Sequence, residues 1–420
     1  MIALILFLSF IILMLLGIPV AISIGLSSVL ILFMGNIPLM IVPQRMFAGL
    51  DSFPLIAVPF FILAGDLMAE GKMSKLIVEF ADAIFGFLRG GLWIISIMAS
   101  AFFAAISGSG AATTAAIGTP LIPELQKRKY NPEFSAALIA SAGGIGVVIP
   151  PSVPMVLYAL IANVSIARLF LNGFIPGILM ALALIIIALK RAAKEDYPRG
   201  AKFSLKNIWR TFKESIWGLI TPIIILGGIF SGYFTPSEAA VIAVDWALLV
   251  SLFIYRDKKF KDIIRIFIKS GITASLIMFL IATARVFSWV LANWSIPSLI
   301  ATGVLSLSQN KYIILLLIDI ILLIAGVFME TASIIIILTP ILLTIITKIG
   351  ISPIHFGIVM TIALAIGMST PPVAINLYVA SSITGFPIEK IAKAAVPLLL
   401  SLIVVLLFIT YIPLFIPLIF

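Results

Sequence analysis

The chain has no cysteine and one histidine, His355, in 420 residues. The first absence excludes disulfides, iron–sulfur clusters, thiolate zinc sites and cysteine nucleophiles; the second excludes a histidine metal cluster. Charge is scarce as well: 10% of residues are charged against 62% apolar, and mean hydropathy is +1.28. By length alone the chain would suit about two or three soluble domains, but this composition belongs to a polytopic membrane protein. No charge occurs from Ile2 to Phe33. That run is too long for a cleaved signal peptide and lacks its basic start, so it is expected to remain as membrane helix.

What charge there is has one sign in excess, +10 overall. Most of it sits in short blocks between apolar runs, which is the positive-inside pattern of a membrane protein and argues against a nucleic-acid partner. One block is Lys190, Arg191, Lys194, Arg199, Lys202, Lys206, Arg210 and Lys213. Another is Arg256, Lys258, Lys259, Lys261, Arg265 and Lys269, and a third is Lys127, Arg128 and Lys129. All three are expected in the cytoplasm.

Prolines and glycines carry a repeat. Ser107, Gly108, Ser109 and Gly110 precede Thr119-Pro120, followed by Gly143, Gly144, Gly146 and Pro150-Pro151-Ser152. Glu330, Thr331, Ala332 and Ser333 precede Thr339-Pro340, followed by Gly367 and Thr370-Pro371-Pro372. The offsets are 339 − 119 = 220 and 371 − 150 = 221. Each Pro-Pro step interrupts an apolar run and should free the carbonyls four residues earlier, at Gly146 and Val147 and at Gly367 and Met368. Broken backbone survives at membrane depth only where it lines a cavity. Paired breaks in corresponding positions point to the binding site of a secondary transporter.

Span by span, Gly35-Asn36-Ile37-Pro38 ends the first run, and Phe53-Pro54 opens a span ending near Gly71. Residues 72–90 carry charges interleaved with apolar residues at helical spacing, which suits an interfacial helix or, equally, a loop-edge helix packed on its neighbours. Gly91 to Lys127 holds two short apolar arms around the Gly/Ser turn, predicting a re-entrant hairpin, and Tyr312 to Lys348 a second. Pro132 to Ala162 and Pro353 to Ile383 are the broken helices, followed by Leu169 to Leu189 and Ile391 to Ile412. Ile216 to Ser231, Pro236 to Tyr255 and Ile272 to Trp289 are further crossings. Alternating the crossings with the basic loops makes the second repeat inverted relative to the first. Thr235-Pro236-Ser237-Glu238 reads as a capping box with Pro at the first helical position.

Sodium is a hard cation that several carbonyl and hydroxyl oxygens can hold without buried carboxylates. The expected first set is Ser107, Gly108, Ser109 and Gly110 facing Gly144, Gly146 and Val147; the second is Thr331, Ser333, Gly367, Met368 and Thr370. Helix N-termini at the hairpin tips favour an anionic substrate, which argues for a small carboxylate. Ser107, Ser152 and Asn376 are its candidate neutral hydrogen-bond partners. Ionisable residues inside apolar runs are functional candidates because burying them is costly. Glu330, at the second tip, is read as a substrate or gating residue. Arg285 is read as a static partner of Asp319, with contact to the anionic substrate as the other reading. Asp66 and Asp245 are read as helix-end or interhelix hydrogen-bonding residues, and His355 as a cap or surface residue.

Four segments make the chain recognisable: Gly49 to Gly65 (GLDSFPLIAVPFFILAG), Ser107 to Gly118 (SGSGAATTAAIG), Thr235 to Ala240 (TPSEAA) and Thr370 to Pro372 (TPP). In this order they resemble the large membrane subunit of tripartite ATP-independent periplasmic (TRAP) transporters, across nearly the whole chain. The second hairpin carries Glu330 where that family usually has Asp. The resemblance implies an all-α, multi-pass protein of a bacterial or archaeal inner membrane, with inverted repeats, two re-entrant hairpins and two broken helices. It implies an elevator-type, sodium-driven importer of organic acids such as C4-dicarboxylates or sialic acids, and no enzymatic activity. Two partners are implied, a small four-helix membrane subunit and a periplasmic substrate-binding protein. The organisation expected is scaffold over 1–90, a first transport half over 91–190, a loop with scaffold helices and arm over 191–310, and a second transport half over 311–420. Competing readings are a stand-alone sodium/dicarboxylate symporter, an intramembrane enzyme and a passive channel. The single His without an acid–base dyad argues against the enzyme.

Overall fold

The computed structural model describes residues 2–197 and 203–412, and every regular element among them is helical. In chain order these are α1 (Ile2–Leu15), α2 (Val20–Met34), α3 (Ile41–Leu50), α4 (Ala57–Ala69), α5 (Lys72–Phe85), α6 (Gly91–Ser107) and α7 (Gly110–Lys127). Next come α8 (Pro132–Gly143), α9 (Val153–Ala162), α10 (Ile166–Lys194), α11 (Leu205–Phe230), α12 (Pro236–Leu249) and α13 (Phe260–Asn293). The last six are α14 (Ile296–Leu307), α15 (Lys311–Phe328), α16 (Thr331–Lys348), α17 (Pro353–Gly367), α18 (Ile375–Thr384) and α19 (Ile388–Tyr411). Seven helices, α12 counted to Ile254, are long and apolar enough to cross a membrane. Arg199 and Lys202 of the first basic block lie outside the described residues.

The uncharged opening run is two helices, not one. Gly17 takes φ +82° and Pro19 has no N–H to continue a helix, so the chain turns at residues 16–19 and α1 packs on α2. At the other extreme, α11 and α13 begin well before their apolar cores. Ser204 caps α11, accepting from Asn207 N–H, and Asp262 accepts from Lys259 N–H at the start of α13. Lys206, Arg210, Lys261 and Arg265 are thus the first turns of long helices, because Lys and Arg are good helix formers whose heads stay in water. The capping box forms as read: Glu238 N–H donates to Thr235 Oγ1 at 3.3 Å and Thr235 N–H to Glu238 Oε2 at 2.8 Å.

The repeat pairs α6–α9 with α15–α18. In each half a helical hairpin is followed by a helix broken at the Pro-Pro step, and the halves interlock: α7 packs on α18 while α16 packs on α9. Each hairpin also joins the chain just after its own break. Val153 N–H donates to Gly108 O at 3.3 Å, and Val373 N–H donates to Val327 O at 3.2 Å. Against this unit lie α4 and α13, with α3 and α12 behind them. Gly65 of α4 touches the first hairpin tip, where a Cβ would meet Ser107 O at 2.7 Å. The α5 helix buries Met73, Leu76 and Ile77 and exposes Lys72, Lys75 and Asp82, the two-faced pattern read from sequence.

Candidate substrate and ion site

A cavity of about 410 Å³ lies where the two hairpin tips meet α4 and α13. Its wall collects helix ends. Four N-termini reach it: α7 through Gly110 to Ala112, α9 through Val153 and Pro154, α16 through Thr331 and Ala332, and α18 through Ile375. Three C-terminal ends reach it too: Ser107 and Gly108 after α6, Val147 at the end of the turn after α8, and Met368 after α17. Free N–H groups with positive dipole ends suit an anion, and C-terminal carbonyl ends suit a cation. One wall can therefore hold both.

Local sequence explains these ends. Ser109 caps α7, accepting from Ala112 N–H at 3.4 Å, after Gly108 ends α6 in the left-handed region at φ +61°. Ser152 caps α9, accepting from Met155 N–H at 3.3 Å, and its own hydroxyl donates to Val147 O at 2.6 Å. Glu330 is the N-terminal residue beside α16, accessible in the cavity, with Ser333 Oγ 3.5 Å from its carboxylate.

Oxygens crowd the first tip. Ser107 Oγ lies 2.8 Å from Thr113 Oγ1, which donates to Ser109 O at 2.8 Å. Gly146 leans on this group, and a Cβ there would meet Thr113 Oγ1 at 2.4 Å. Gly110 faces Asn376 Oδ1, which is buried and has no hydrogen-bond partner among the described residues. The amide's other end donates to Ala140 O at 3.1 Å, alongside Ser369 Oγ at 3.1 Å. No group of three or more acidic, His or Cys residues that could hold a metal occurs among the described residues. Ser107, Thr113 and Ser109 thus bring hydroxyl and carbonyl oxygens together, the donor type a hard monovalent cation takes, and Asn376 Oδ1 lies on the other side of Gly110.

Of the residues singled out from sequence, Ser107, Gly108, Ser109, Gly110, Val147, Glu330, Thr331 and Met368 line the one cavity. Gly144 does not face the first tip; it packs on α17, a Cβ there meeting Ala365 O at 3.1 Å. Gly367 sits on Gly326, where the backbones of α17 and α15 touch. Thr370 donates to Ile366 O at 2.9 Å. The freed carbonyls are mostly claimed inside the chain: Val147 O by Ser152, Gly367 O by Thr370 N–H at 2.9 Å, and Met368 O by Asn376 N–H at 2.9 Å. Each keeps one lone pair for another donor or cation.

Arg285 and Asp319 do not pair. Arg285 lies in an apolar crevice between α13, α9 and α16, lined by Leu55, Leu157 and Ile336, and makes no ion pair among the described residues. Asp319 is 2% exposed on α15. His355 is not on the surface; it is buried, with Nε2 3.3 Å from Thr410 O. Asp66 does bridge helices, accepting from Ser270 Oγ at 2.7 Å, and it also lines the cavity. Asp245 makes no interhelix bond among the described residues and is exposed in mid-helix.

Sequence reasoning missed Lys269 and Thr273, which bring α13 into the cavity, and Thr113. Lys269 was legible only as one of a basic block, although its place ten residues into α13 separates it from the loop.

Two broken helices and two hairpin tips that meet at one cavity in a helical membrane protein form the arrangement of a secondary transporter. The family follows from comparison: a profile described as "Tripartite ATP-independent periplasmic transporter, DctM component" matches residues 7–415, and the chain belongs to that family. It is 37% identical over 426 residues to the C4-dicarboxylate TRAP transporter large permease protein DctM of Rhodobacter capsulatus, covering 98% of this chain and 97% of that protein. It is 41% identical over 399 residues to the isethionate TRAP transporter permease protein DctMQ of Oleidesulfovibrio alaskensis, covering 94% of this chain but only 63% of that longer protein. Among solved structures the YdaH transporter of Alcanivorax borkumensis shares the fold, with TM-score 0.65 at 15% identity over 90% of this chain and 89% of that one. The protein is thus a multi-pass inner-membrane permease component of a TRAP transporter.

Proposed function

We propose that this chain is the sodium-driven permease of a three-part importer of small organic acids. The observation carrying this is the convergence of four helix N-termini and three C-terminal ends on one cavity. The first amides of α7, at Gly110 and Ala111, take the acid group of the substrate, and the positive dipole ends of α9, α16 and α18 add to the field there. The Ser107–Thr113–Ser109 oxygens and Asn376 hold one sodium ion, and Thr331, Ser333 and Met368 at the second tip hold another, with Gly367 and Thr370 shaping the break behind them. Glu330 contacts the substrate's polar groups or gates their exit. Ser152 orders the break after α8 from behind the wall, and Arg285 receives the anion in the crevice on the far side of the tips. Relatives named for a C4-dicarboxylate and for isethionate, a sulfonate, agree with a site that reads one negative charge and little else. C4-dicarboxylates and sialic acids fall within that class.

The hairpins and broken helices, with α10 and α19, move as a transport domain against a scaffold that includes α4 and α13. At Gly65 the scaffold meets the first tip backbone to backbone, with no side chain between them. Asp66 and Lys269 in the cavity lining stand next to the basic loop before α13, which supports a cytoplasm-facing reading of this state. The "tripartite" description supports two partners, a small membrane subunit and a periplasmic substrate-binding protein that delivers the acid. The test is uptake into proteoliposomes holding the two membrane subunits with the binding protein outside. Uptake should require an inward sodium gradient and the binding protein. Uptake without sodium would remove the coupling, and full uptake by this chain alone would make it a stand-alone symporter.

A further inference from the structure

Asp245 lies at the centre of the α12 span, nine residues from Pro236 and nine from Ile254, and points away from the rest of the chain. At 1.5 Å per residue that is about 14 Å from either end, the depth at which a charge is hardest to keep in hydrocarbon. The opposite face of α12 is packed against α4 and α11 through Ala239, Ala240, Ala243 and Ala247. The outward face is otherwise apolar: Leu249 is 43% and Phe253 70% exposed, and on α11 Ile223 is 68% exposed beside a groove at Gly227, where a Cβ would touch nothing. A lone acid on such a face is costly in hydrocarbon, and a partner that brings a positive charge to the same depth removes that cost.

A second copy of this chain is poorly supplied: among the described residues the Lys and Arg of α10, α11, α15, α16 and α19 lie toward the helix ends, Arg45 on the short α3 lies over the Trp289 ring, Lys269 pairs with Glu70, and Arg285 lies in an inner crevice. We propose that the α11–α12 face centred on Asp245 seats a membrane-spanning helix of the small membrane subunit, with a Lys or Arg of that helix meeting the Asp245 carboxylate. The proposal rests on the partner reading above and assigns it a surface and a charge.

The test is co-purification of a tagged small subunit with this chain from detergent, without sodium or substrate, so that a failure of sodium coupling leaves the readout untouched. Asp245→Lys should cut recovery at least tenfold, and changing each membrane-embedded Lys or Arg of the small subunit to Asp in turn should restore recovery at one position. Asp245→Leu should weaken association while raising the melting temperature of the isolated chain, which distinguishes a lost contact from a lost fold. A photo-crosslinker at Leu249 should capture the small subunit and one at Ile178 on α10 should not. Recovery unchanged in both Asp245 variants, or capture of a second copy of this chain at Leu249, would overturn the assignment.

Discussion

Gly146 and Thr113 are fitted to each other: a methyl group on Gly146 would lie 2.4 Å from Thr113 Oγ1 and 2.8 Å from Ser109 O. These two oxygens belong to the cluster assigned to an ion. Gly146→Ala should displace them, destabilise the protein by about 1–3 kcal/mol through overpacking, and reduce uptake at least about tenfold. Sodium titration of uptake is the decisive measurement. An unchanged sodium midpoint with lowered stability would make Gly146 a packing residue only.

Removing the tip side chains tests the cavity directly. Ser107→Ala deletes the hydroxyl 2.8 Å from Thr113 Oγ1, and Glu330→Ala deletes an accessible carboxylate with a single 3.5 Å side-chain contact. Both should lower uptake at least about tenfold, a loss of about 1.4 kcal/mol or more, while gel filtration and melting temperature stay close to wild type. Wild-type uptake from both variants would refute the tip assignments.

Because Arg285 has no ion pair to lose among the described residues, Arg285→Gln should alter thermal stability by less than about 0.5 kcal/mol. Its effect should fall on the substrate side, as a raised KM for uptake with the sodium dependence retained. A large fall in melting temperature with normal KM would return it to a structural role.

Outside the membrane, Tyr197 lies flat on Tyr130 with ring centres 4.3 Å apart, and its hydroxyl accepts from Asn131 N–H at 2.8 Å. Burial, with a hydrogen bond to Glu195 adding to it, pushes the phenol up from 10.0 to about 12. The neutral form is thus favoured in the folded state. Its stabilising contribution is complete below pH 10 and is lost as pH rises through about 12, because the unfolded chain gives up its proton first. Urea unfolding followed from pH 9 to 12 should show a decline that is shallower in Tyr197→Phe; equal slopes would assign it to other groups.

The repeat, the breaks and the hairpins were legible because they are local. A proline that cannot donate, a glycine that ends a helix and a capping serine act through the backbone within four residues, and two copies at one offset mark them. The membrane setting was legible from composition for the same reason: each apolar residue contributes independently of its neighbours in space. Even the split at Gly17 and Pro19 was written in the chain, hidden only by the absence of charge around it.

Tertiary structure decided what no single segment contains. Whether Arg285 meets Asp319 depends on which faces of α13 and α15 turn toward each other. That Val147 O is taken by Ser152, or that Lys269 enters the cavity, follows from the angle at which helices far apart in sequence cross. Asp245 makes the same point in reverse: its position in the middle of a span is sequence, but its outward direction is set by the alanine face that α12 gives to α4 and α11. Local rules fix which residues must leave the helical ladder, and long-range packing fixes what their freed atoms and charges then face.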